Sequence, residues 1–202
     1  MSGQPLLWLV IGPNGAGKTT YYETRIQPSL QVEFVNADLI ATERWPASEE
    51  DRSYEAAKLA ADRRTALIGA RRSFAAETVF SHPSKLDLVR AALEAGYEVW
   101  VTFIHVSSPD LCVARVRARV QGGGHDVPEE KIRTRFTRMP DLAREAIALA
   151  SRSFVVDNSD PRRPLRDVLS FERGRVRWRS EDLPSWCLRG FAAELAGTVP
   201  LR

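Results

Sequence analysis

The chain has 202 residues, 44% of them hydrophobic and 27% charged, with 29 Lys and Arg against 26 Asp and Glu and a net charge of +3. That length suits one domain, 1–202, and leaves no room for a second catalytic one. No apolar run nears the ~20 residues needed to span a bilayer, which excludes a membrane-embedded class.

Cys112 and Cys187 sit in unrelated contexts. A disulfide framework or cysteine metal site is therefore not expected, and two thiols fit a cytoplasmic, reducing compartment. The opening MSGQPLLWLVIG has no basic segment before its apolar run and no small-residue cleavage site, so it reads as a strand rather than a signal peptide. Of the basic residues only Lys18, Lys58, Lys85 and Lys131 are lysines. Such an arginine-rich balance raises nucleic-acid binding, but guanidinium groups on ordinary helix faces account for it equally well, and nucleic acid is not the partner expected here.

Apolar runs bounded by turn residues predict strands at 6–11, 32–36, 73–80, 97–106 and 153–159. Helical patterns lie between them at 17–28, 47–71, 84–95, 108–121 and 128–150. This alternation predicts an α/β fold of the P-loop kinase type, a parallel sheet with helices on both faces and ligands at the carboxyl ends of its strands. The tail, 164–197, reads as an antiparallel hairpin turning at Arg173 and Gly174, extending an edge of the sheet, and then a closing amphipathic helix.

The first strand runs into GPNGAGKTT, in which Gly12, Gly17, Lys18 and Thr19 satisfy GxxxxGK[ST] just before a predicted helix. The nucleotide-binding residues are Gly12, Pro13, Asn14, Gly15, Ala16, Gly17, Lys18, Thr19 and Thr20. Backbone amides and the helix N-terminus face the phosphates of ATP, Lys18 bridges the β- and γ-phosphates, and the Thr19 hydroxyl helps to hold Mg²⁺. The same wording occurs in transporter-type ATPases, but neither an LSGGQ-like segment nor an apolar strand ending in Asp-Glu is present.

After the second strand, Asp38 is a candidate base for an acceptor hydroxyl. Glu77 sits inside an apolar strand, where it would orient Mg²⁺ through water or hold a substrate hydroxyl, with Thr78 beside it. The segment 115–138 reads as a lid, two arginine-bearing helices around Gly122, Gly123 and Gly124. Arg119 and Arg135 are the arginines expected at the γ-phosphate, with Arg115 and Arg133 competing for those roles. Asp126 is expected to cap the second lid helix. His82, His105 and His125 fall in different contexts and do not assemble a zinc site.

Taken together, GPNGAGKTT, FVNADLIA, AAETVF and RVRARVQGGGHDVPEEKIRTRF resemble the zeta toxin family of P-loop kinases, in particular its compact bacterial branch, over about residues 6–180. The resemblance implies transfer of the ATP γ-phosphate to the 3′-hydroxyl of UDP-N-acetylglucosamine, a nucleotide-sugar substrate, and restraint by an antitoxin protein. It implies Asp38 as the base, Lys18 and Thr19 in the nucleotide loop, Arg119 and Arg135 on the transferring phosphate, and Glu77 against the sugar. Larger toxins read Glu-Gly-Thr where this chain reads Glu-Thr, and their further acidic residue falls near Ala61, with Asp62 adjacent but not equivalent.

Overall fold

Side-chain alternation along the first strand sets the layering. In β1 (Leu6–Ile11), Leu7, Leu9 and Ile11 enter one buried cluster while Val10 enters another, as a strand covered on both faces requires. The computed structural model describes residues 3–46, 52–124 and 126–196. The other strands are β2 (Glu33–Val35), β3 (Phe74–Thr78), β4 (Glu98–His105), β5 (Arg152–Asp157), β6 (Arg166–Glu172) and β7 (Arg175–Arg179). They form one seven-stranded sheet in the order β2-β3-β1-β4-β5-β6-β7. The first five in that order are parallel, and β6 and β7 each run antiparallel to the preceding strand. The sheet is thus mixed, because the C-terminal hairpin adds to the β5 edge. Its two-residue turn places Arg173 at φ 49° and Gly174 at φ 73°, the mirror-image turn whose twist matches the strands.

The predicted helix 17–28 is α1 (Lys18–Tyr21) followed by a π-helical segment, Tyr22–Ile26. The sequence reading did not anticipate α2 (Ala37–Arg44), which starts on an Asn36 cap and stops before Pro46. The expected helix 47–71 is α3 (Ser53–Gly69), and residues 47–51 lie outside those described. The next three, α4 (Lys85–Glu94), α5 (Pro109–Gln121) and α6 (Glu129–Leu149), fall where they were expected. The closing helix is instead two short ones, α7 (Ser185–Gly190) and α8 (Ala192–Ala196), broken at buried Phe191, which packs on Phe171 at 5.6 Å. Gly197 is outside the described residues. No helix among the described residues is long and apolar enough to cross a membrane.

One histidine is a core aromatic. His105, at the end of β4, stacks on Phe136 at 4.6 Å and meets the Trp186 edge at 4.8 Å. Burial lowers its pKa to about 4, the Asp157 charge partly opposing the shift. An unfolded histidine titrates near 6.5, so the unfolded chain takes up the proton first as pH falls. The stability due to neutral His105 is complete above ~6.5 and is lost as pH falls towards ~4, on the order of 3 kcal/mol in all. Urea midpoints measured between pH 7 and pH 4 should fall less steeply for His105→Phe, which keeps the stack, than for the parent.

Candidate active site

The loop between β1 and α1 folds by its own contacts. The Ala16 amide donates to the Pro13 carbonyl at 3.1 Å, and the Tyr21 amide to Gly17 at 2.9 Å. Asn158, just past β5, clasps the loop from outside: its Nδ2 donates to the Ala16 carbonyl at 2.8 Å and its Oδ1 accepts the Leu165 amide at 3.1 Å. Gly17 has φ 94°, and a Cβ there would lie 2.5 Å from Asn158 Nδ2. Gly17→Ala therefore meets both a left-handed backbone, costing ~1–2 kcal/mol, and a side chain that cannot swing away without losing two hydrogen bonds. Calorimetry of that variant should show a lower Tm together with weakened ATP binding.

Lys18 is buried, and its Nζ donates to the Pro13 carbonyl at 3.1 Å and lies 3.5 Å from Glu77 Oε1. Glu77 pairs in register with Val10, beside the end of β1. Its Oε2 accepts the Thr19 hydroxyl at 2.7 Å and the Asn36 side-chain amide at 2.9 Å. Of the two uses expected for Glu77, this arrangement favours the one at the nucleotide loop. A carboxylate and a hydroxyl this close, next to where phosphates bind, fit the hard-oxygen preference of Mg²⁺, which takes few protein ligands and keeps waters and phosphate oxygens.

Asn36, which the sequence reading passed over, has a second bond: its Oδ1 accepts the Asp38 amide at 2.8 Å. Because Asn36 caps α2, the Asp38 carboxylate is not needed for that purpose. Asp38 is exposed in the first turn of α2.

Lys18, Asp38, Glu77, Thr78 and Arg135 all line one cavity of about 610 Å³, a size suited to a small-molecule ligand. Arg135 reaches it from α6 and donates to Asn14 Oδ1 at 3.2 Å. Burial lowers the Arg135 pKa, and the Asp38 charge opposes that shift. Arg119 does not line the cavity; it is exposed on α5, with its side chain against Gly124. One turn earlier, Arg115 donates to the Gly15 carbonyl at 3.4 Å. Arg133 is engaged by Asp110 at 2.6 Å and Glu129 at 2.8 Å, and Arg117 by Glu129 at 2.6 Å, so these two tie α5 and α6 together.

Asp126 does not cap α6. Its Oδ1 accepts the Val127 amide at 2.7 Å, and the residue before the helix is Pro128. Thr20 is exposed and outside the cavity lining, and His125 lies outside the described residues. The cavity also takes in Arg64 and Lys85, which the sequence reading did not single out. Arg64 shares the inward face of α3 with Ala56, Ala60 and Leu67, a spacing legible in the sequence once the helix is placed.

A family model described as an AAA domain matches residues 7–142. An uncharacterized protein of Haemophilus influenzae is 27% identical over 125 residues, covering 62% of this chain and 88% of that protein. Among solved structures, the complex of AvrRxo1-ORF1 with AvrRxo1-ORF2, determined with sulphate ions, superposes with a TM-score of 0.66 at 18% identity over 86% of this chain. The same complex has been determined with ATP. This chain spans 60% of the length of that longer protein. A structure from the PezAT chromosomal toxin-antitoxin system of Streptococcus pneumoniae superposes with a TM-score of 0.61 at 15% identity, covering 98% of this chain and 81% of the other.

Proposed function

The chain belongs to the AAA domain family, and from that premise we propose that it is an ATP-dependent kinase that moves the γ-phosphate to a hydroxyl of a small acceptor. The observation that carries the reading is the cavity of about 610 Å³ in which Asp38 and Arg135 stand beside Lys18. A nucleotide-binding switch needs no such base next to spare volume.

In this mechanism the loop from Gly12 to Thr20 cradles the phosphates through its amides, and Lys18 leaves Glu77 to meet the β- and γ-phosphates. Thr19 and Glu77 would hold Mg²⁺, which supplies charge neutralisation to the phosphates when bound. Asp38 accepts the proton of the attacking hydroxyl as the new O–P bond forms and the bond to the ADP oxygen breaks. Arg135 stabilises the charge that spreads over the transferring group. Segment 115–138 acts as the lid, and Arg119 joins Arg135 only when that lid is closed.

The first acceptor to try is a nucleotide sugar, UDP-N-acetylglucosamine at its 3′-hydroxyl, in line with the resemblance to zeta toxins. A toxin held by an antitoxin protein is the setting that goes with it, and two of the similar folds come from a two-protein complex and a toxin–antitoxin system. Mass spectrometry of a metabolite extract incubated with the protein, ATP and Mg²⁺ tests the chemistry. A species gaining one phosphate names the acceptor, and no such species with ATP bound and intact rejects the kinase. Growth arrest on expression, abolished by Lys18→Ala, tests the toxin role.

A further inference from the structure

One face of the sheet is covered by helices only in part. α1 and the π-helical segment close it toward the carboxyl ends of the strands, where Tyr21, Tyr22 and Ile26 join Val10, Ile104 and Val156 in one cluster. Nearer the amino ends, Trp8, Trp100 and Phe154 stay partly buried on the same face. Trp8 meets the Trp100 ring edge-on at 4.8 Å and Phe154 at 6.1 Å. Register carries the row outward: Phe154 pairs with Ser170 on β6, and Ser170 with Trp178 on β7. Trp178 thus ends the row at the rim of the sheet, 48% exposed. The other face of β7 is closed, since Val176 and Leu195 of α8 both pack on the main core. β6 is the only strand neighbour of β7 among the described residues, so about half of the backbone groups of β7 point outward with no strand to meet them. Arg175, Arg177 and Arg179 are all exposed. Arg177 meets Glu172 at 3.2 Å, while Arg175 and Arg179 have no ion pair among the described residues.

We infer that β7 and Trp178 form a docking edge for an extended, acidic segment of a partner protein, which adds to the sheet as one further strand. Charge and shape choose that occupant. Arginine forks bind carboxylates in bidentate pairs, and the free N–H and C=O groups of an edge accept an extended backbone. A strand alternates its side chains, so one segment can offer acids to the arginines and an apolar group to Trp178, and Trp and Arg are the side chains that dominate protein interfaces. A second copy of β7 is disfavoured, because it would bring arginines against arginines. Residues 197–202, GTVPLR, hold no acid to fill the role. Single-stranded nucleic acid fits less well: Glu172 and Glu98 stand 3.2 Å and 3.8 Å from Arg177 and Arg152, and the Trp8 and Trp100 rings pack edge to face on each other instead of lying open to bases. Were the arginines there only to blunt the edge against aggregation, an exposed Trp among them would defeat the purpose. None of these residues lines the cavity, so the inference stands apart from the kinase reading.

The test titrates the full chain into a fluorescein-labelled, end-capped peptide, Glu-Val-Glu-Val-Glu-Val, followed by anisotropy, and reads amide hydrogen exchange of the protein by mass spectrometry. Binding should saturate, and exchange over residues 175–179 should slow in the complex. Arg175→Glu combined with Arg179→Glu should weaken the peptide ~10-fold or more, since like charges then face it, and Trp178→Ala ~5-fold or more. Both arginines are exposed, so the Tm of their variant should match that of the parent. Should Trp178→Ala fold poorly, the arginine variant carries the measurement. A block peptide of the same composition, Glu-Glu-Glu-Val-Val-Val, should bind more weakly, because it cannot present acids and apolar groups in alternation. No saturable binding, equal binding of the two peptides, unchanged exchange over 175–179, or variants that bind like the parent overturns the docking edge. Tighter binding of a labelled oligouridylate than of the peptide assigns the surface to RNA, and a dimer in sedimentation that Trp178→Ala dissolves assigns it to a second copy. Either of these results overturns the inference as well.

Discussion

Asp38→Ala is expected to lower kcat by ~10²–10⁴ while ATP affinity and Tm stay close to those of the parent. The basis is the division of labour at the start of α2. Asn36 meets the free amide of the helix, so removing the Asp38 side chain takes away no cap and no buried hydrogen bond. Asp38 is exposed at the cavity, so its loss removes the proposed base and little else. Single-turnover measurements with saturating ATP separate the chemical step from binding. A variant with an unchanged rate sinks the assignment of the base, and a variant with a sharply lower Tm shows that Asp38 is structural instead.

Arg135→Ala is expected to cost more, ~10³-fold or beyond in kcat, with a much smaller effect on the ATP dissociation constant. Arg135, on α6, both lines the cavity and contacts the nucleotide loop, through Asn14 at 3.2 Å. Arg133, two positions earlier on α6, is occupied by Asp110 and Glu129, and its alanine variant should act through lid stability. Comparing the two by kcat and by Tm distinguishes a group acting on the transferring phosphate from one that joins helices. Equal losses of kcat would remove the distinction.

Features tied to a local pattern were legible before any coordinates. Lys18 and Thr19 follow from the glycine spacing, and Glu77 stood out as a charge inside an apolar strand. The alternation of apolar runs predicted the parallel part of the sheet, while the hairpin was visible from its Arg-Gly turn. What escaped notice depends on contacts across long sequence separations. Asn158 serves the nucleotide loop from 142 residues away, and nothing in its own neighbourhood marks it. The α2 helix escaped because its only buried residue is Ala41, so it shows no apolar stripe and its opening was read as the end of a strand. Arg64 was hidden in a long helical pattern among other arginines, and its place on the face of Ala56, Ala60 and Leu67 shows only once α3 is placed. Arg119 was chosen over Arg115 on proximity to the glycines, yet the residue one turn nearer the start of α5 is the one that meets Gly15.

The ion pair between Lys18 and Glu77 makes the resting site a balanced one. Its central cation is already occupied, by a carboxylate at 3.5 Å and a carbonyl at 3.1 Å, so an arriving anion must outcompete a neighbour rather than fill an open charge. Binding at this loop is therefore an exchange of partners at Lys18 rather than the filling of an empty charge, and Glu77 is set free for other oxygens as the lysine turns to a phosphate.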